Sequence, residues 1–542
     1  MRAKNFIKIP ILSFLTILFM CLSFPPAGVG YLAWIAFIPW FILIITEEKY
    51  VYLSALFIGV VFFFIQLYWL YYIAAAAWIM LSLYCSAYFL FFAFITRLVV
   101  FRLKWPLGIV APCVWASLEF IRSFLLSGFP WFFIGHSQYQ YLPVIQIADI
   151  TGVYGISFII VMINGCITDW ILHFLNYRNK TTHALSSFLS PGKKMLFFGL
   201  TCIFPLALLT AAMLYGFWWL RNYKPQEGPT LCMAQGNIPQ DLKFQSTEED
   251  DIRILKIYSE LSMGAKGNSI DLLIWPETMI PGLLNINPEL TGRKIDILSQ
   301  LTVLQLSQEL RTPLLLGGLA LTLHEENQVY FNSAYYYNKE GTFVDRYDKI
   351  HLVPFGEFTP LKDYFPFLAK LVPYEVGLTH GEKRTVFHLD TPDNKHFAFG
   401  SSICYEDTVP SLIRAFKKEG ADFMVNITND GWFRNSAELD QHLAIMVFRA
   451  VENRMTMARA ANTGISSFVA PDGAIYDKLT DLQGKYREIS GTLINRIKLI
   501  KSSNTIYTLW GDWFSILCLT TSGIMIFLAL FGSTFSLTFP KE

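Results

Sequence analysis

One cysteine in the sequence stands where a nucleophile could be presented. Within Gly400–Asp407, Cys404 follows an apolar, β-rich run that begins at His396, and acidic residues come directly after it, where a helix could begin. A free cysteine is more often a small buried hydrophobe, so Cys404 alone has little weight as a catalytic candidate. A catalytic thiol would also need a base and a cation from elsewhere in the chain.

Two such side chains stand near the ends of other predicted strands. Glu277 follows the apolar run 271–275, and Lys349 lies in a polar stretch further along. Taken singly, Glu277 is more simply a solvated loop carboxylate, and Lys349 a surface charge paired with Asp345 or Asp348.

Together the three side chains predict covalent catalysis. A thiol with an ordinary pKa of about 8.5 is mostly protonated at neutral pH, so it needs a base to accept its proton and a cation to favour the thiolate. Glu277 is the candidate base. Lys349 is the candidate cation, and it could also stabilise the oxyanion of a tetrahedral intermediate formed on Cys404.

The composition indicates that much of the chain lies in lipid. Of 542 residues, 53% are hydrophobic and only 16% are charged, whereas a soluble domain has about 25% charged residues. The net charge of +1 and the lack of a basic stripe argue against nucleic-acid binding. Only Cys232 and Cys404 of the 8 cysteines fall outside apolar spans, so neither a disulfide framework nor a metal site is expected, and no cofactor is predicted.

About eight apolar stretches approach the roughly 20 residues that cross a bilayer as a helix. The first ends at Ser23 and lacks a small-residue cleavage site, so we expect a retained span rather than a signal peptide. Basic residues fall in alternate loops, which predicts a cytoplasmic N-terminus and places the segment after Trp219 outside the cytoplasm. The other predicted spans are at about 31–46, 52–73, 76–101, 107–126, 151–175, 195–219 and 511–535.

Two features interrupt the predicted spans. Glu119 and Arg122 are three residues apart on one helix face, where they could pair, either to hold neighbouring segments together or to line a substrate cavity. Gly-Phe-Pro-Trp at 128–131 predicts a loop or re-entrant turn.

From about Tyr223 to Tyr507 the composition becomes that of an α/β domain, in which short apolar strands alternate with amphipathic helices. The predicted organisation is a seven-span domain at 1–222, a catalytic domain at 223–507, and a last span with a short tail at 508–542. The elements predicted for the catalytic domain are strands at 229–234, 271–275, 313–318, 329–338, 396–403, 422–427 and 464–470, and helices at 248–264, 293–310, 408–419 and 438–459.

The order Glu, Lys, Cys resembles the nitrilase, or carbon-nitrogen hydrolase, superfamily, which implies an αββα sandwich. With the membrane part included, nearly the whole chain resembles the apolipoprotein N-acyltransferase family. That resemblance implies transfer of an acyl chain from a phospholipid to the α-amino group of a diacylglyceryl-cysteine, through a thioester on Cys404. The similar stretches are Trp275–Glu277, Tyr347–Lys349, Ile403–Glu406, Gly128–Trp131, Gln235–Gln240, Lys349–Glu357, Asn429–Phe433 and Gln441–His442.

The resemblance also implies supporting residues. Glu357 and Glu406 match acidic positions around the thiol, the Tyr405 backbone N–H could face the oxyanion, and Asn332 matches a polar position near the site. The chain departs from the family pattern in two places. Phe244 stands where the family has a tryptophan on a mobile loop, and Asp440 stands where a proline commonly precedes Gln-His.

An aromatic loop suggests how a lipid could enter. We expect Leu352–Val376, with Phe358 and Phe365, and the run Met279–Leu284 to dip toward the bilayer; the alternative is that they are ordinary packing. The expected partners are a phospholipid donor, an apolipoprotein acceptor and the lipid bilayer, and a monomer is expected. The expected location is the inner membrane of a bacterium, with the catalytic domain on the periplasmic side.

Two other functions are compatible with parts of the sequence. A membrane-tethered amidase would use the same three residues without an acyl donor. A transporter or receptor would need charged residues spread through several spans, whereas Glu119, Arg122, Asp149 and Asp169 are nearly all there are.

Overall fold

The described part of the chain forms two compact units. The computed structural model describes residues 2–174, 199–244, 247–324, 327–354, 356–358, 377–500 and 504–532. The first unit contains the described residues of 1–68, 78–222 and 510–542, and the second contains 69–77 and 223–509. The second unit therefore includes the short segment 69–77, which runs from the end of one apolar helix into the first residues of the next and was not anticipated.

The first unit consists of helices that follow the apolar stretches. Four helices of the described residues are long and apolar enough to cross a membrane, namely Ala75–Leu103, Val153–Phe174, Gly199–Asn222 and Trp513–Phe531. The other four predicted spans fall on helices that do not meet this criterion; the apolar part of the first, for example, is only Ile7–Ser23. The run at 31–46 is divided into two helices, and the run at 52–73 leaves the α-helix at Gln66. The other α-helices of the described residues in this unit are Arg2–Ser23, Ala33–Ala36, Ile38–Thr46, Val51–Gln66, Leu107–Arg122, Leu142–Ile145 and Ala148–Thr151.

Glu119 and Arg122 are both buried, but among the described residues no ion pair joins them. Glu119 Oε1 instead accepts hydrogen bonds from the Trp115 indole and from the backbone N–H of Ile134, each at 2.7 Å. The Arg122 guanidinium donates to the carbonyl of Phe132 at 3.3 Å. The two charged side chains therefore bind the backbone at Ile134 and Phe132 rather than each other. Both line the same cavity of the first unit, as the second alternative predicts.

The second unit is built on two six-stranded sheets. Their strand orders are β12-β1-β2-β3-β4-β5 and β11-β10-β9-β8-β7-β6. Parallel pairs lie at the centre of each sheet and antiparallel pairs at the edges. The strands are β1 Gln226–Gln235, β2 Leu272–Ile280, β3 Leu314–His324, β4 Asn327–Tyr337, β5 Phe343–Asp348, β6 Val386–Asp390, β7 His396–Ile403, β8 Phe423–Thr428, β9 Thr456–Ala461, β10 Ser467–Val469, β11 Ile475–Lys478 and β12 Gly491–Leu499.

The two sheets pack face to face, and helices cover their outer faces. Glu248–Gly264 and Lys294–Leu310 lie on the first sheet, and Pro410–Lys418 and Glu438–Asn453 on the second. This is the four-layer αββα arrangement that the sequence predicts, and the buried apolar faces of strands and helices account for it. The remaining short helices are Gln240–Phe244, Pro288–Thr291 and, where the units meet in sequence, Ile506–Trp510.

One predicted element of this unit is wrong in part. The helix expected at 438–459 ends at Asn453, because Arg454 takes a left-handed backbone conformation with φ 50°. The chain then enters β9, which pairs in parallel with β8. Four further strands, β5, β6, β11 and β12, were not predicted.

Candidate active site

Glu277 lies within β2, at a break in its pairing with β3. The register shifts between Trp275 and Ile280, so the chain bulges at this point. Thr278 has φ 54°, which is unusual for a β-branched residue. Gly317 on β3 makes room for the bulge, because a Cβ at that position would lie 2.7 Å from Glu277 Cα. The local backbone therefore turns the Glu277 carboxylate out of the regular sheet pattern.

Lys349 directly follows β5, and its backbone N–H donates to the carbonyl of Asn332 on β4 at 2.8 Å. Its Nζ lies 2.8 Å from Glu357 Oε1 and 3.6 Å from Glu277 Oε1. Lys349 is fully buried, so the surface interpretation of this residue is wrong. Its ammonium instead joins two carboxylates inside the unit.

The two acidic residues considered as partners of Lys349 have other partners. Asp345 pairs with Lys383 at 2.8 Å, and Asp348 pairs with Arg346 at 2.7 Å. The first pair is exposed and the second is half-buried, and neither involves Lys349, whose partners are the buried carboxylates.

Cys404 directly follows β7 and opens a short 3-10 turn, Cys404–Thr408. Its φ of 55° is in the left-handed region, where a residue other than glycine is strained by about 1–3 kcal/mol. Asn426 on β8 donates a hydrogen bond to the Cys404 carbonyl at 2.8 Å. The surroundings thus hold a strained residue at the strand end, as is typical of positions that present a reactive side chain.

Glu406 ties this turn to the segment around Lys349. Its carboxylate accepts hydrogen bonds from the Tyr347 hydroxyl at 2.9 Å and from the backbone N–H groups of Ile350 and His351 at 2.8 and 2.9 Å. It also accepts one from Ile403 N–H at 2.8 Å. Burial raises the pKa of Glu406 to about 7, although these hydrogen bonds oppose the rise. Glu406 therefore acts as a buried acceptor that fixes the turn.

Asn332 and Asn429 orient the carboxylates near Lys349. The Asn332 side chain donates to Glu277 Oε1 at 2.7 Å and to Glu357 Oε1 at 3.2 Å. The other oxygen of Glu277 accepts from Asn429 N–H at 2.9 Å, and that of Glu357 accepts from Val353 N–H at 2.8 Å. Each carboxylate is thus held at both oxygens.

The charges in this site act on one another. Burial raises the pKa of the Cys404 thiol well above its ordinary value, the Glu277 carboxylate raises it further, and Lys349 opposes the rise. Burial alone would lower the pKa of Lys349, but the negative charges around it, above all that of Glu357, raise it well above its ordinary value. The resting site therefore holds a neutral thiol beside an ammonium, and the thiol needs a base before it can attack.

A buried cluster of charges lies behind the Cys404 turn. The Arg459 guanidinium, on β9, is 3.0 Å from Asp407 Oδ2 and 2.9 Å from Asp430 Oδ2. His442 Nε2 is 2.6 Å from Asp407 Oδ1, and its Nδ1 is 3.2 Å from Glu438 Oε1. Burial would raise the pKa of Asp430, but Arg459 and His442 outweigh it and hold that pKa below its usual range.

Asp430, Glu438 and His442 have ligand atoms close enough to hold a metal ion. The Arg459 guanidinium already supplies positive charge there, 2.7 Å from His442 Nδ1. The group is therefore a buried ion-pair cluster. It joins the turn after Cys404 to the end of β8. Arg459 could not be assigned to it from the sequence, because residues 456–459 were expected to be helical rather than part of β9.

Comparison with known proteins identifies the family. Over 98% of its length the chain is 32% identical to apolipoprotein N-acyltransferase of Geobacter metallireducens, of which it covers 97%. The chain belongs to the apolipoprotein N-acyltransferase family. Another relative, apolipoprotein N-acyltransferase of Bdellovibrio bacteriovorus, is 29% identical and matches 76% of this chain and 72% of its own length.

Both parts of this apolipoprotein N-acyltransferase family member match known domains. Residues 18–166 match the apolipoprotein N-acyltransferase N-terminal domain, and residues 231–498 match the carbon-nitrogen hydrolase family. The second match confirms the nitrilase-like fold of the second unit. Nit3 of Saccharomyces cerevisiae, a nitrilase-superfamily structure, is 18% identical and covers 51% of this chain and 91% of its own, with a TM-score of 0.36.

The remaining candidate positions come from the family resemblance, for Tyr405 and Phe244, and from the aromatic loop, for Phe358 and Phe365. Tyr405 is half-buried beside Cys404, and burial raises the pKa of its hydroxyl. Phe358 is half-buried and forms a β-bridge with Pro354. Phe244 is the last residue of the helix Gln240–Phe244. Phe365 lies outside the described residues.

The run Met279–Leu284 does not dip toward the bilayer as expected. Met279, Ile280, Leu283 and Leu284 are all buried, and three of them belong to the hydrophobic core between the first sheet and its helices. They are ordinary packing, because the strand β2 continues to Ile280 and carries the run into the core.

Proposed function

We propose that this N-acyltransferase moves a fatty acyl chain from a membrane phospholipid to the α-amino group of the N-terminal S-diacylglyceryl-cysteine of an apolipoprotein. The observation that supports this most directly is the position of the Lys349 ammonium, 2.8 Å from Glu357 and 3.6 Å from Glu277, with the charges of all three acting on the Cys404 thiol. The relatives are named apolipoprotein N-acyltransferases, and this name indicates an apolipoprotein as the acyl acceptor.

In the first half-reaction Glu277 accepts the thiol proton while Cys404 Sγ attacks the ester carbonyl of the phospholipid. Lys349 and the Tyr405 backbone N–H stabilise the oxyanion of the tetrahedral intermediate. The intermediate collapses by breaking the ester C–O bond. The departing lysophospholipid oxygen takes the proton from Glu277, and a thioester remains on Cys404.

In the second half-reaction Glu277 serves again as a base. It accepts a proton from the α-ammonium of the acceptor cysteine, and the free amine attacks the thioester carbonyl. Collapse breaks the C–S bond and forms the amide. Of the two protons that the nitrogen loses through Glu277, one goes to the Cys404 thiolate and the other is released to water, so Glu277 ends as a carboxylate. Because water would hydrolyse the thioester, a lipid environment favours transfer over hydrolysis.

The membrane arrangement belongs to the same proposal. Eight helical segments, four long and four shorter, cross the inner membrane, with residues 1–222 and 508–542 in the bilayer and 223–507 outside the cytoplasm. The protein acts as a monomer, and Phe358 lines the acyl entrance. Support comes from the apolar helices and the one-sided distribution of basic loops.

Mass spectrometry of the full-length protein tests this function. Protein isolated from membranes is expected to carry one fatty acyl group on Cys404, and this group should move to a diacylglyceryl-cysteine peptide when the peptide is added. Cys404→Ala should carry none, and Cys404→Ser should transfer little. An acyl adduct that persists on the Cys404→Ala variant would refute the assignment. Ammonia release from a small amide without an acyl donor would indicate an amidase instead.

A further inference from the structure

Arg434 has a backbone conformation that an arginine rarely adopts. It follows the 3-10 turn Asp430–Phe433, with φ 53° and ψ −157°. This region of conformational space is essentially reserved for glycine, and other residues persist there only when the surroundings impose it. Glycine would suit this backbone better, so the side chain of Arg434 must supply the reason for its presence.

The Arg434 side chain is exposed, and its charge is not neutralised by the protein. Its guanidinium carbon lies 5.1 Å from the centre of the Tyr72 ring. Among the described residues no carboxylate lies within 4.0 Å of it. A cation held over a ring and left without an ionic partner is arranged to bind an anion from outside the protein.

Arg434 lies on the same segment as one of the groups that orient Glu277. Asn429, five residues earlier, donates its backbone N–H to Glu277 Oε2 at 2.9 Å. Between them, Phe433 packs edge to face against Trp69, with 4.9 Å between the ring centres. The segment 429–434 therefore carries a contact to the candidate base at one end and an unneutralised cation at the other.

The residues that hold Arg434 belong to the segment 69–77. Trp69 is anchored to the same unit by a hydrogen bond from its indole N–H to Gln441 Oε1 at 3.1 Å. Tyr71 and Tyr72 are 50% and 38% exposed. Because this segment runs into the apolar helix Ala75–Leu103, its tyrosines stand where aromatic residues usually meet the lipid headgroups.

We propose that Arg434, supported by the ring of Tyr72, binds the phosphate of the phospholipid acyl donor. This inference rests on the proposed function. A guanidinium can donate two parallel hydrogen bonds to phosphate oxygens, and an arginine at the headgroup level would meet the phosphate before the ester carbonyl reaches Cys404. The contact would orient the donor ester toward the thiol.

The test compares two acyl donors with the purified full-length protein in detergent. One is dioctanoyl phosphatidylglycerol, and the other is p-nitrophenyl octanoate, which has no phosphate. Arg434→Gly should raise KM for the phospholipid about tenfold, as expected for a lost hydrogen bond to a charged group. With the neutral ester, the rate of acyl-Cys404 formation should stay within about twofold of wild type, because no phosphate contact is lost.

Arg311→Gly is the matched control. Arg311 is also exposed and has φ 52°, but it lies just before the start of β3. Glu277 is beside a later residue of that strand, so Arg311 is away from the candidate site. Replacement by glycine should raise the melting temperature at either position, because the strain is relieved. Only Arg434→Gly should change KM for the phospholipid. Tyr72→Phe should keep the wild-type KM, and Tyr72→Ala should raise it.

The outcomes separate this inference from the proposed function. Wild-type protein that forms no acyl-Cys404 with either donor would refute the proposed function. If Arg434→Gly forms acyl-Cys404 normally and its KM for the phospholipid is unchanged, the phosphate site is overturned but the proposed function is not. The same holds if Arg434→Gly impairs acylation equally with both donors. The neutral ester is also tested with the protein in phosphatidylglycerol vesicles instead of detergent. If Arg434→Gly is slower with this ester only in the vesicles, Arg434 binds the surrounding lipid surface, and the assignment of the acyl donor is overturned.

Discussion

The ammonium of Lys349 lies 2.8 Å from the Glu357 carboxylate, closer than the 3.6 Å that separates it from Glu277. Glu357 therefore takes the stronger share of the lysine charge and leaves the Glu277 carboxylate less neutralised. An acidic residue that looks auxiliary in the sequence thus has a defined electrostatic task. It holds the Lys349 ammonium in place, so that this charge does not neutralise the Glu277 carboxylate.

Glu357→Gln tests this relationship. Without the Glu357 charge, the ammonium should shift toward Glu277 and neutralise the base, so the rate of acyl-Cys404 formation should fall about a hundredfold. Single-turnover acylation followed by intact mass measures this rate. Glu340→Gln, which alters an exposed carboxylate, is the control and should behave as wild type. A rate unchanged by Glu357→Gln would show that the pairing has no catalytic consequence.

Alkylation of Cys404 by iodoacetamide tests the charges around the thiol. Burial and the Glu277 carboxylate raise the pKa of this thiol and Lys349 lowers it, so Glu277→Gln should lower the pKa and Lys349→Met should raise it further. At a fixed pH of about 8, near the ordinary range for a thiol, alkylation should be faster in the first variant and slower in the second.

Acyl transfer should respond differently from alkylation. Glu277→Gln lacks the base, so it should lose acyl transfer by a factor of about 10²–10⁴ even though its thiol is more reactive toward iodoacetamide. Peptide mapping restricts the alkylation measurement to Cys404 among the 8 cysteines. Slower alkylation in Glu277→Gln would contradict the arrangement of charges described here.

Asn332 supports a third prediction, because its amide donates to the carboxylates of both Glu277 and Glu357. Asn332→Ala removes the donor, whereas Asn332→Asp replaces it with a third negative charge. Although aspartate is closer in shape, Asn332→Asp should form acyl-Cys404 more slowly than Asn332→Ala.

The pH dependence of stability distinguishes the two variants as well. The new carboxylate in Asn332→Asp should be destabilising when ionised, so its melting temperature should fall between pH 5 and pH 8 relative to that of Asn332→Ala. Equal melting temperatures across this range would mean that the three carboxylates do not share one site.

Glu277 and Cys404 could be found from the sequence because each comes directly after an apolar run, 271–275 and 396–403. Lys349 follows β5, which was not predicted, so it could be found only as the cation that a catalytic thiol needs. Glu277 and Cys404 lie on different sheets, β2 in the first and β7 in the second, so their shared site depends on the packing of the two sheets. The bulge at Thr278 could not be foreseen, since it depends on the pairing of β2 with β3.

Other parts of the site could not be predicted for identifiable reasons. Thr456–Ala461 is rich in alanine, which favours a helix by local propensity, but its pairing with β8 makes it a strand and brings Arg459 into the charge cluster. The segment 69–77 has an apolar, aromatic sequence that reads as part of a span. Its place in the second unit follows from contacts with residues more than 350 positions away, such as Trp69 with Gln441.

The buried cluster around Arg459 supports a prediction about stability. Arg459→Met leaves Asp407 and Asp430 without their cation, and breaking a buried ion pair in this way costs about 3–5 kcal/mol. The melting temperature of the full-length protein should fall clearly. Lys383→Ala removes an exposed partner of Asp345 instead and should change stability by less than about 1 kcal/mol. Similar melting temperatures for the two variants would argue against the cluster as a structural support.

The backbone of Cys404 leads to a prediction that separates strain from chemistry. With φ 55°, Cys404→Ala keeps the unfavourable conformation and Cys404→Gly relieves it, so the glycine variant should be more stable by about 1 kcal/mol although neither can form a thioester. Cys232, buried in β1, provides the matched comparison. There Cys232→Gly should be less stable than Cys232→Ala by about 0.5–1 kcal/mol, because glycine weakens a regular strand. Thermal unfolding of the four variants measures both differences, and a glycine variant that is less stable at both positions would show that no strain is stored at Cys404.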